Sequence, residues 1–153
     1  MNKLLITGGS GFLGRRAALY YREQGLQVFT PTHSELDITD PEAVRRAGSE
    51  LRPDWIVHCA AISDVGACDR DEAWSRSINT DGCVNVARAA GEIGAKCVLC
   101  SSDQVYFGSE ETRPHAEAEV LTPKNLYGRE KLEAERRSLA VNPDAVLLRL
   151  TWM

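Results

Sequence analysis

The sequence contains no long apolar run and no excess of basic residues. No stretch approaches the ~18 consecutive apolar residues that define a membrane-spanning helix. The chain carries 18 Lys and Arg against 22 Asp and Glu, a net charge of −4, and so lacks the basic footprint of a nucleic-acid-binding protein. The N-terminus has neither the basic region nor the apolar core of a signal peptide. We therefore expect neither nucleic acid nor a membrane as a partner.

The sequence also lacks a disulfide framework and a metal-binding pattern. Its five cysteines are odd in number and scattered, which fits the reducing cytoplasm. Cys97 and Cys100 have the C-x-x-C spacing, but residues i and i+3 of a strand point to opposite faces. We therefore expect a cytoplasmic protein in which these two cysteines form no redox pair and no metal is bound.

Neither repeats nor linkers divide the chain, and 153 residues are enough for one domain. An apolar run at 145–150 reads as a core strand, and the sequence stops three residues later. We therefore expect residues 1–153 to form one domain, and to be an N-terminal fragment of a longer protein. An exposed last strand would favour self-association, including a homodimer.

Short apolar runs alternate with amphipathic stretches along the chain. This order predicts right-handed βαβ units and a Rossmann-type doubly wound parallel sheet of the α/β class. The connection at 102–123 is longer than most loops of a compact domain, which indicates a functional segment. The predicted strands are 3–7, 26–30, 34–38, 54–61, 96–101 and 145–150, and the predicted helices are 13–25, 41–51, 69–93 and 126–140.

A glycine-rich loop follows the first predicted strand. Residues 9–14, Gly-Ser-Gly-Phe-Leu-Gly, satisfy G-x-G-x-x-G, and Gly8, Gly11 and Gly14 satisfy the wider G-x-x-G-x-x-G spacing. Glycines allow a tight turn and close approach to a pyrophosphate, while the helix N-terminus attracts the anion. Between a strand and a helix, this motif predicts dinucleotide binding rather than a merely structural turn.

The second predicted strand lacks the terminal acid that binds the ribose 2′-hydroxyl of NAD. Thr30 occupies that position, and Glu35 comes late. Arg15 follows the last glycine and could meet a 2′-phosphate, although it could equally be a solvated helix residue. The pattern favours NADP and leaves NAD open. We therefore expect residues 1–153 to be an NAD(P)-binding Rossmann domain.

Tyr127 and Lys131 are neighbours at i and i+4 on the last predicted helix. A nearby ammonium stabilises a phenolate and lowers its pKa from ~10, which suits the tyrosine to acid–base catalysis. Ser102 follows a central strand, where ligands of open α/β sheets bind. Its hydroxyl could hydrogen-bond a substrate carbonyl or alcohol beside Tyr127. The alternative is that Ser101 and Ser102 only form a serine-rich turn without a role in binding.

Together these segments resemble the extended short-chain dehydrogenase/reductase family, and within it the dTDP-4-dehydrorhamnose reductase branch. The matching segments occur in family order along the chain, at 7–14, 36–40, 58–61, 79–82, 101–108 and 123–131. The resemblance implies an NAD(P)-dependent oxidoreductase that reduces a 4-keto nucleotide sugar.

The resemblance also implies roles for individual residues. Ser102, Tyr127 and Lys131 match the catalytic positions, and Ser102 and Asp103 match substrate contacts. Asn79 matches a residue that supports the site, and Glu117 and Glu119 match acids that order the loop. The implied cofactor contacts are Gly8, Ser10, Gly11, Phe12, Leu13, Gly14, Asp37, Ile38, Ala60, Ala61, Tyr127 and Lys131.

Two departures from the family pattern limit what the resemblance implies. Asp103 is followed by Gln104 where dehydratases carry an Asp-Glu pair, which counts against dehydration. The C-terminal substrate domain of the family has no counterpart in these residues, so the sugar cannot be named. A nucleotide-sugar epimerase and a non-catalytic regulatory subunit, like the β subunit of methionine adenosyltransferase, stay open as alternatives.

Overall fold

Five parallel strands form one sheet at the centre of the structure, a computed structural model that describes residues 2–109 and 114–151. The strand order is β2-β1-β3-β4-β5. In the register of the three central strands, Thr7 lies opposite His58, and His58 lies opposite Leu99. The strands are β1 (Lys3–Thr7), β2 (Gln27–Phe29), β3 (Trp55–His58), β4 (Lys96–Ser102) and β5 (Val146–Leu150).

Helices cover both faces of the sheet, as the alternation of elements predicts. Helix α1 (Phe12–Glu23) packs over Leu4 and Ile6 on one face. The larger core lies on the other face, between Leu5, Ile56 and Leu99 of the strands and three helices. These helices are α2 (Pro41–Leu51), α5 (Cys83–Ile93) and α6 (Leu126–Val141). The Rossmann-type doubly wound fold is therefore confirmed.

Local sequence signals explain where two of these helices begin. Asp40 caps α2 by accepting a 2.9 Å hydrogen bond from the Glu42 amide, and Pro41 occupies the first helical position. Asn125 caps α6 by accepting a 2.7 Å hydrogen bond from the Gly128 amide. Within the described residues, no helix has the length and apolarity to cross a membrane.

The expected strand at 34–38 is wrong. Glu35 instead folds back on Thr32, accepting hydrogen bonds from its amide and hydroxyl at 2.8 and 2.9 Å, and forms a turn. Leu36 and Ile38 are apolar because they pack in the core cluster beneath the sheet. The apolar residues alternate with polar ones here because every second side chain is buried, although the segment pairs with no strand in the described sheet.

The expected helical stretch at 69–93 is interrupted once, at Asp71, and the chain is helical from 72 to 93. Asp71 has an extended backbone and caps a new helix by accepting from the Trp74 amide at 3.0 Å. The segments are α3 (Val65–Arg70), α4 (Glu72–Arg76), a π-helical turn (Ser77–Gly82) and α5. The wider π turn carries Asn79, a residue expected to support the site.

The long connection at 102–123 begins with a 3₁₀ turn, Asp103–Tyr106. Val105 and Leu121 from its two ends pack together against Leu132 of α6, so the loop has its own small core. Its residues 110–113, like residues 152 and 153, lie outside the described part of the chain.

Candidate functional site

The glycine loop joins the end of β1 to the start of α1. Helix α1 begins after Gly11 with no side-chain cap, so its first amide groups stay available to a ligand. Phe12, Leu13 and Gly14 form this first turn. Exposed amides at a helix N-terminus attract phosphate through hydrogen bonding and the helix dipole.

Three glycines leave no room for a side chain. Gly8 has a φ of +71°, and a Cβ there would lie 2.6 Å from the backbone nitrogen of Ala60. A Cβ at Gly14 would lie 2.3 Å from the carbonyl oxygen of Gly8, and one at Gly9 would lie 2.6 Å from Thr30. These contacts pack β1, the loop, α1 and the end of β3 at backbone distance, which is the close packing that a pyrophosphate cradle requires.

A groove of about 290 Å³ opens over this loop at the carboxyl edge of the sheet. Of the predicted cofactor contacts, the groove is lined by Gly8, Ser10, Gly11, Asp37, Ile38, Ala60 and Ala61. The structure thus brings together residues from three segments, and they fit a dinucleotide. Asp37 accepts hydrogen bonds from the hydroxyl and amide of Thr39 at 2.7 and 2.9 Å. These bonds lower the pKa of Asp37 and keep it ionised.

The end of β2 supports the preference for NADP. Glu35 is committed to Thr32. His33 lines the groove, and Arg15 is exposed on α1. The Glu35 carboxylate therefore has partners of its own in the turn that follows β2.

Tyr127 and Lys131 are both buried on α6, with 7% and 2% of their surface exposed. The Lys131 ammonium donates a 2.6 Å hydrogen bond to the carbonyl oxygen of Cys100 on β4. This bond fixes the N-terminal half of α6 against the carboxyl end of β4.

The two adjacent serines at the end of β4 have different partners. The Ser101 hydroxyl donates a 2.5 Å hydrogen bond to the Glu135 carboxylate on α6. The Ser102 hydroxyl is close enough to the Tyr127 phenol to lower the phenol pKa by hydrogen bonding. It also donates to Asp103 at 3.3 Å and accepts from the Gln104 amide at 3.2 Å. Ser102, rather than Ser101, is therefore the hydroxyl available beside Tyr127.

The expectation that Lys131 lowers the pKa of Tyr127 is wrong for this arrangement. Burial raises that pKa above its ordinary value, the hydrogen bond from Ser102 opposes the rise, and the negative charge of Asp103 adds to it. Lys131 donates instead to the Cys100 carbonyl. The phenol of Tyr127 is consequently protonated at neutral pH, the state in which it can donate a proton.

Asn79 joins the loop after β3 to α6. Its amide oxygen accepts from the Ile62 amide at 2.8 Å, and its amide nitrogen donates to the Ile62 carbonyl at 3.0 Å. The same nitrogen donates to the Glu130 carboxylate at 2.9 Å. Ile62 lines the cofactor groove directly after Ala60 and Ala61. Asn79 thus holds the groove to the helix that carries Tyr127 and Lys131.

Three residues that position this site were missed by sequence reasoning. Glu130 is buried and accepts from Ser75 at 2.6 Å as well as from Asn79. A Cβ at Gly128 would lie 2.3 Å from the carbonyl oxygen of Gln104, so this glycine lets α6 approach the 3₁₀ turn. Arg149 on β5 pairs with Glu135 at 2.7 Å. A glycine directly after Tyr127 was the one available signal.

The loop after the 3₁₀ turn is ordered by its own charged residues. Glu119 accepts a 3.3 Å hydrogen bond from the Ala116 amide and pairs with His115 at 3.1 Å. The backbone carbonyl of Glu117 accepts from Arg149 at 3.2 Å. A second concavity of about 1230 Å³ lies between this loop, α6 and β5, and Asp103 is the predicted site residue among those that line it.

The RmlD substrate binding domain family matches residues 1–153. The chain belongs to this family. A dTDP-4-dehydrorhamnose reductase from Mycobacterium tuberculosis (strain CDC 1551 / Oshkosh) is 34% identical over 154 residues, covering 99% of this chain and 50% of that protein. The solved structure of dTDP-4-dehydrorhamnose reductase from Bacillus anthracis, in complex with NADP, has a TM-score of 0.93 and 28% identity. The match covers 99% of this chain and 54% of that one.

The chain is also similar to a protein that is named as an enzyme subunit and not as a reductase. Methionine adenosyltransferase 2 subunit beta from Bos taurus is 32% identical over 155 residues, covering 97% of this chain and 46% of that protein. The chain spans about half the length of the curated relatives that it matches. Membership of the RmlD substrate binding domain family therefore does not by itself determine the activity of this chain.

Proposed function

We propose that this chain forms the cofactor half of an NADP-dependent oxidoreductase that reduces a 4-keto nucleotide sugar. The observation that carries the proposal is the packing of α6, which carries Tyr127, against the end of β4, which carries Ser102: Lys131 donates a 2.6 Å hydrogen bond to the Cys100 carbonyl, and a Cβ at Gly128 would lie 2.3 Å from the Gln104 carbonyl oxygen. Ala60 and Ala61, which follow β3, the strand next to β4, line the glycine-loop groove. Reductases of this sugar class are among the chain's relatives.

The chemistry divides between the cofactor and the protein. When bound, the reduced nicotinamide supplies a hydride to the carbonyl carbon of the sugar. Ser102 hydrogen-bonds the carbonyl oxygen, and Tyr127 donates its proton to that oxygen as negative charge develops there. The raised pKa of Tyr127 keeps this proton in place at neutral pH. Lys131 holds the carboxyl end of β4 against α6 and would bind the nicotinamide ribose.

The remaining residues hold the cofactor. Ser10, Gly11 and the first turn of α1 would bind the pyrophosphate, and Asp37 and Ile38 would contact the adenine. Arg15 would meet the 2′-phosphate that distinguishes NADP from NAD. Replacing Arg15 with Ala should weaken binding of NADP but leave binding of NAD unchanged. Titration of both cofactors measures the difference, and equal losses for both would exclude a phosphate contact.

A regulatory subunit is the second candidate, favoured by the similarity to methionine adenosyltransferase 2 subunit beta. Such a protein would bind NADP, oxidise no NADPH in the presence of a keto sugar, and bind a methionine adenosyltransferase. An epimerase of the same family would instead retain NAD tightly through dilution. Homodimer formation, measurable by sedimentation, is a separate prediction that all three functions allow.

The decisive experiment replaces Tyr127 with Phe in the protein. We expect sugar-dependent oxidation of NADPH to be lost while NADP binding is retained, because only the phenolic proton donor is removed. Tyr20→Phe is the matched control, since Tyr20 is 57% exposed on α1. Normal turnover in Tyr127→Phe would refute the catalytic role of this residue. Absence of turnover in the unaltered protein with dTDP-4-keto sugars would refute the proposed reaction.

A further inference from the structure

Two cysteines lie in contact beneath the candidate site. The Sγ atoms of Cys59 and Cys100 are 3.8 Å apart. His58 and Leu99 are register partners in β3 and β4, so the next residues, Cys59 and Cys100, lie side by side. Neighbouring strands are ~4.8 Å apart, which falls within the ~4.4–6.8 Å between Cα atoms that a disulfide requires.

These two thiols differ from the other three in the chain. Cys68, Cys83 and Cys97 are buried, whereas Cys59 and Cys100 are partly exposed. Cys59 also lines the cofactor groove, which gives a small oxidant a route to the pair. The C-x-x-C partners Cys97 and Cys100 are separated, because Cys97 packs in the larger core on the opposite face of the sheet.

The surroundings make Cys100 the more acidic of the two thiols. Its hydrogen bond with Cys59 lowers the pKa of Cys100, and the positive charge of Lys131 acts in the same direction against the effect of burial. The pKa of Cys59 is raised by that hydrogen bond and by burial, so Cys59 keeps its proton. Two thiols in contact, one with a lowered pKa, form the arrangement in which one sulfur reacts with an oxidant and the other resolves the product.

We propose that Cys59 and Cys100 are a redox-modification site, at which a hydroperoxide forms a disulfide that weakens dinucleotide binding. The Cys100 thiolate attacks one oxygen of hydrogen peroxide, the O–O bond breaks, Cys100 becomes a sulfenic acid, and the departing hydroxide combines with the proton released from the Cys100 thiol to form water. The Cys59 sulfur then attacks the Cys100 sulfur, the S–O bond breaks, and hydroxide leaves with the Cys59 proton as water. Two thiols are oxidised and one peroxide is reduced to two waters.

Formation of the disulfide would move residues of the candidate site, because both cysteines are joined to it by close contacts. The sulfurs must approach from 3.8 Å to the ~2.05 Å of a disulfide. Cys59 is bonded to Ala60, whose backbone nitrogen lies against Gly8 too closely to admit a Cβ. The carbonyl of Cys100 is the acceptor for Lys131. Movement at either cysteine therefore displaces the glycine loop or the anchor of α6.

The test treats the protein with hydrogen peroxide and maps its cysteines by mass spectrometry. Of the five thiols in residues 1–153, we expect two to be lost, together with a linked pair of peptides containing Cys59 and Cys100. NADP should slow the reaction by covering the groove. Dithiothreitol should restore the thiols and reverse a loss of NADP affinity of about tenfold or more.

The controls separate the site from general oxidation. Cys59→Ser and Cys100→Ser should each abolish the linked peptides, whereas Cys97→Ser, on the same strand but the opposite face, should retain them. The linked peptides can be sought in unaltered protein, so the proposal stays testable if a variant fails to fold. Peroxide-treated protein that retains all five thiols, or forms a disulfide with unchanged NADP affinity, would overturn it.

This inference rests on the proposed function only in its effect on dinucleotide binding. Linked peptides and lowered NADP affinity in a protein that reduces no keto sugar would support the redox site and refute the reductase. Sugar reduction in a protein without linked peptides would do the reverse.

Discussion

The amide nitrogen of Asn79 donates a 2.9 Å hydrogen bond to the carboxylate of Glu130, the residue directly before Lys131. Both side chains are 1% exposed, and 51 residues of sequence separate them. The same Asn79 side chain holds both backbone groups of Ile62. One buried amide thus determines how the cofactor groove sits relative to α6.

Replacing Asn79 with Ala should lower the free energy of unfolding by about 3 kcal/mol, because the buried amide and carbonyl of Ile62 and the carboxylate of Glu130 lose partners. NADP affinity should fall as the loop loosens. Urea unfolding and cofactor titration check the two effects. Asn85→Ala is the control, since that side chain contacts only backbone carbonyls at 38 and 39 and should cost about 1 kcal/mol. Equal losses from the two variants would contradict the linking role of Asn79.

Replacing Gly128 with Ala should destabilise the protein by about 2 kcal/mol or more and reduce turnover, because the new Cβ would meet the Gln104 carbonyl at 2.3 Å. Helix α6 would have to move, and Tyr127 with it. Gly48→Ala in α2 is the matched control, because its nearest contact would be an ordinary 3.5 Å. It should stabilise the protein by up to about 1 kcal/mol through helix propensity. Thermal unfolding of both variants distinguishes contact from propensity, and a stable Gly128→Ala protein would refute the close packing.

Replacing Glu135 with Ala should cost about 3 kcal/mol, because it leaves Arg149 and the Ser101 hydroxyl without their buried acceptor. The exposed pair between Arg76 and Glu133 supplies the comparison. Arg76→Ala should cost less than about 1 kcal/mol, because water screens a surface ion pair. Denaturant unfolding measures both losses. A small effect at Glu135 would mean that Arg149 finds another partner near Tyr106.

His58 should make stability depend on pH. Burial, together with the charge of Lys131, lowers the pKa of His58 to about 3, whereas the unfolded value is ~6.5. Above pH ~6.5, His58 is therefore neutral in the folded and the unfolded chain, and it does not lower the free energy of unfolding. As pH falls towards 3, only the unfolded chain takes up the proton, and the free energy of unfolding decreases. Between pH 6.5 and 4.5 the free energy of unfolding should fall by up to about 1.4 kcal/mol per pH unit.

Comparison of two histidine variants checks this origin. His58→Gln should remove most of the slope over that pH range, while His33→Gln should retain it, because His33 is exposed. Urea unfolding at several pH values measures the slope. An unchanged slope in His58→Gln would assign the effect to other groups.

The local parts of the site could be predicted from the sequence, whereas the contacts that hold it could not. The glycine loop, the cap at Asp40 and the Tyr127–Lys131 spacing each depend on residues a few positions apart. Glu130 looks like any polar helix residue until Asn79, 51 residues earlier, is placed against it. The pKa of Tyr127 was predicted in the wrong direction because burial, which spacing does not reveal, outweighs the lysine. The turn at 34–38 was mistaken for a strand because its apolar side chains are buried without being paired.

The strand order implies a gradient of amide hydrogen exchange across the sheet. Strands β1, β3 and β4 have a neighbour on each side, whereas the described sheet ends at β2, with three residues, and at β5. Edge amides exchange through small local openings, while interior amides require openings close to global unfolding. Exchange should therefore be fast at Val28 and slowest at Leu5, Ile56 and Leu99. The glycine loop and Ser102 extend from the interior strands, so the candidate site is attached to the part of the sheet that opens last.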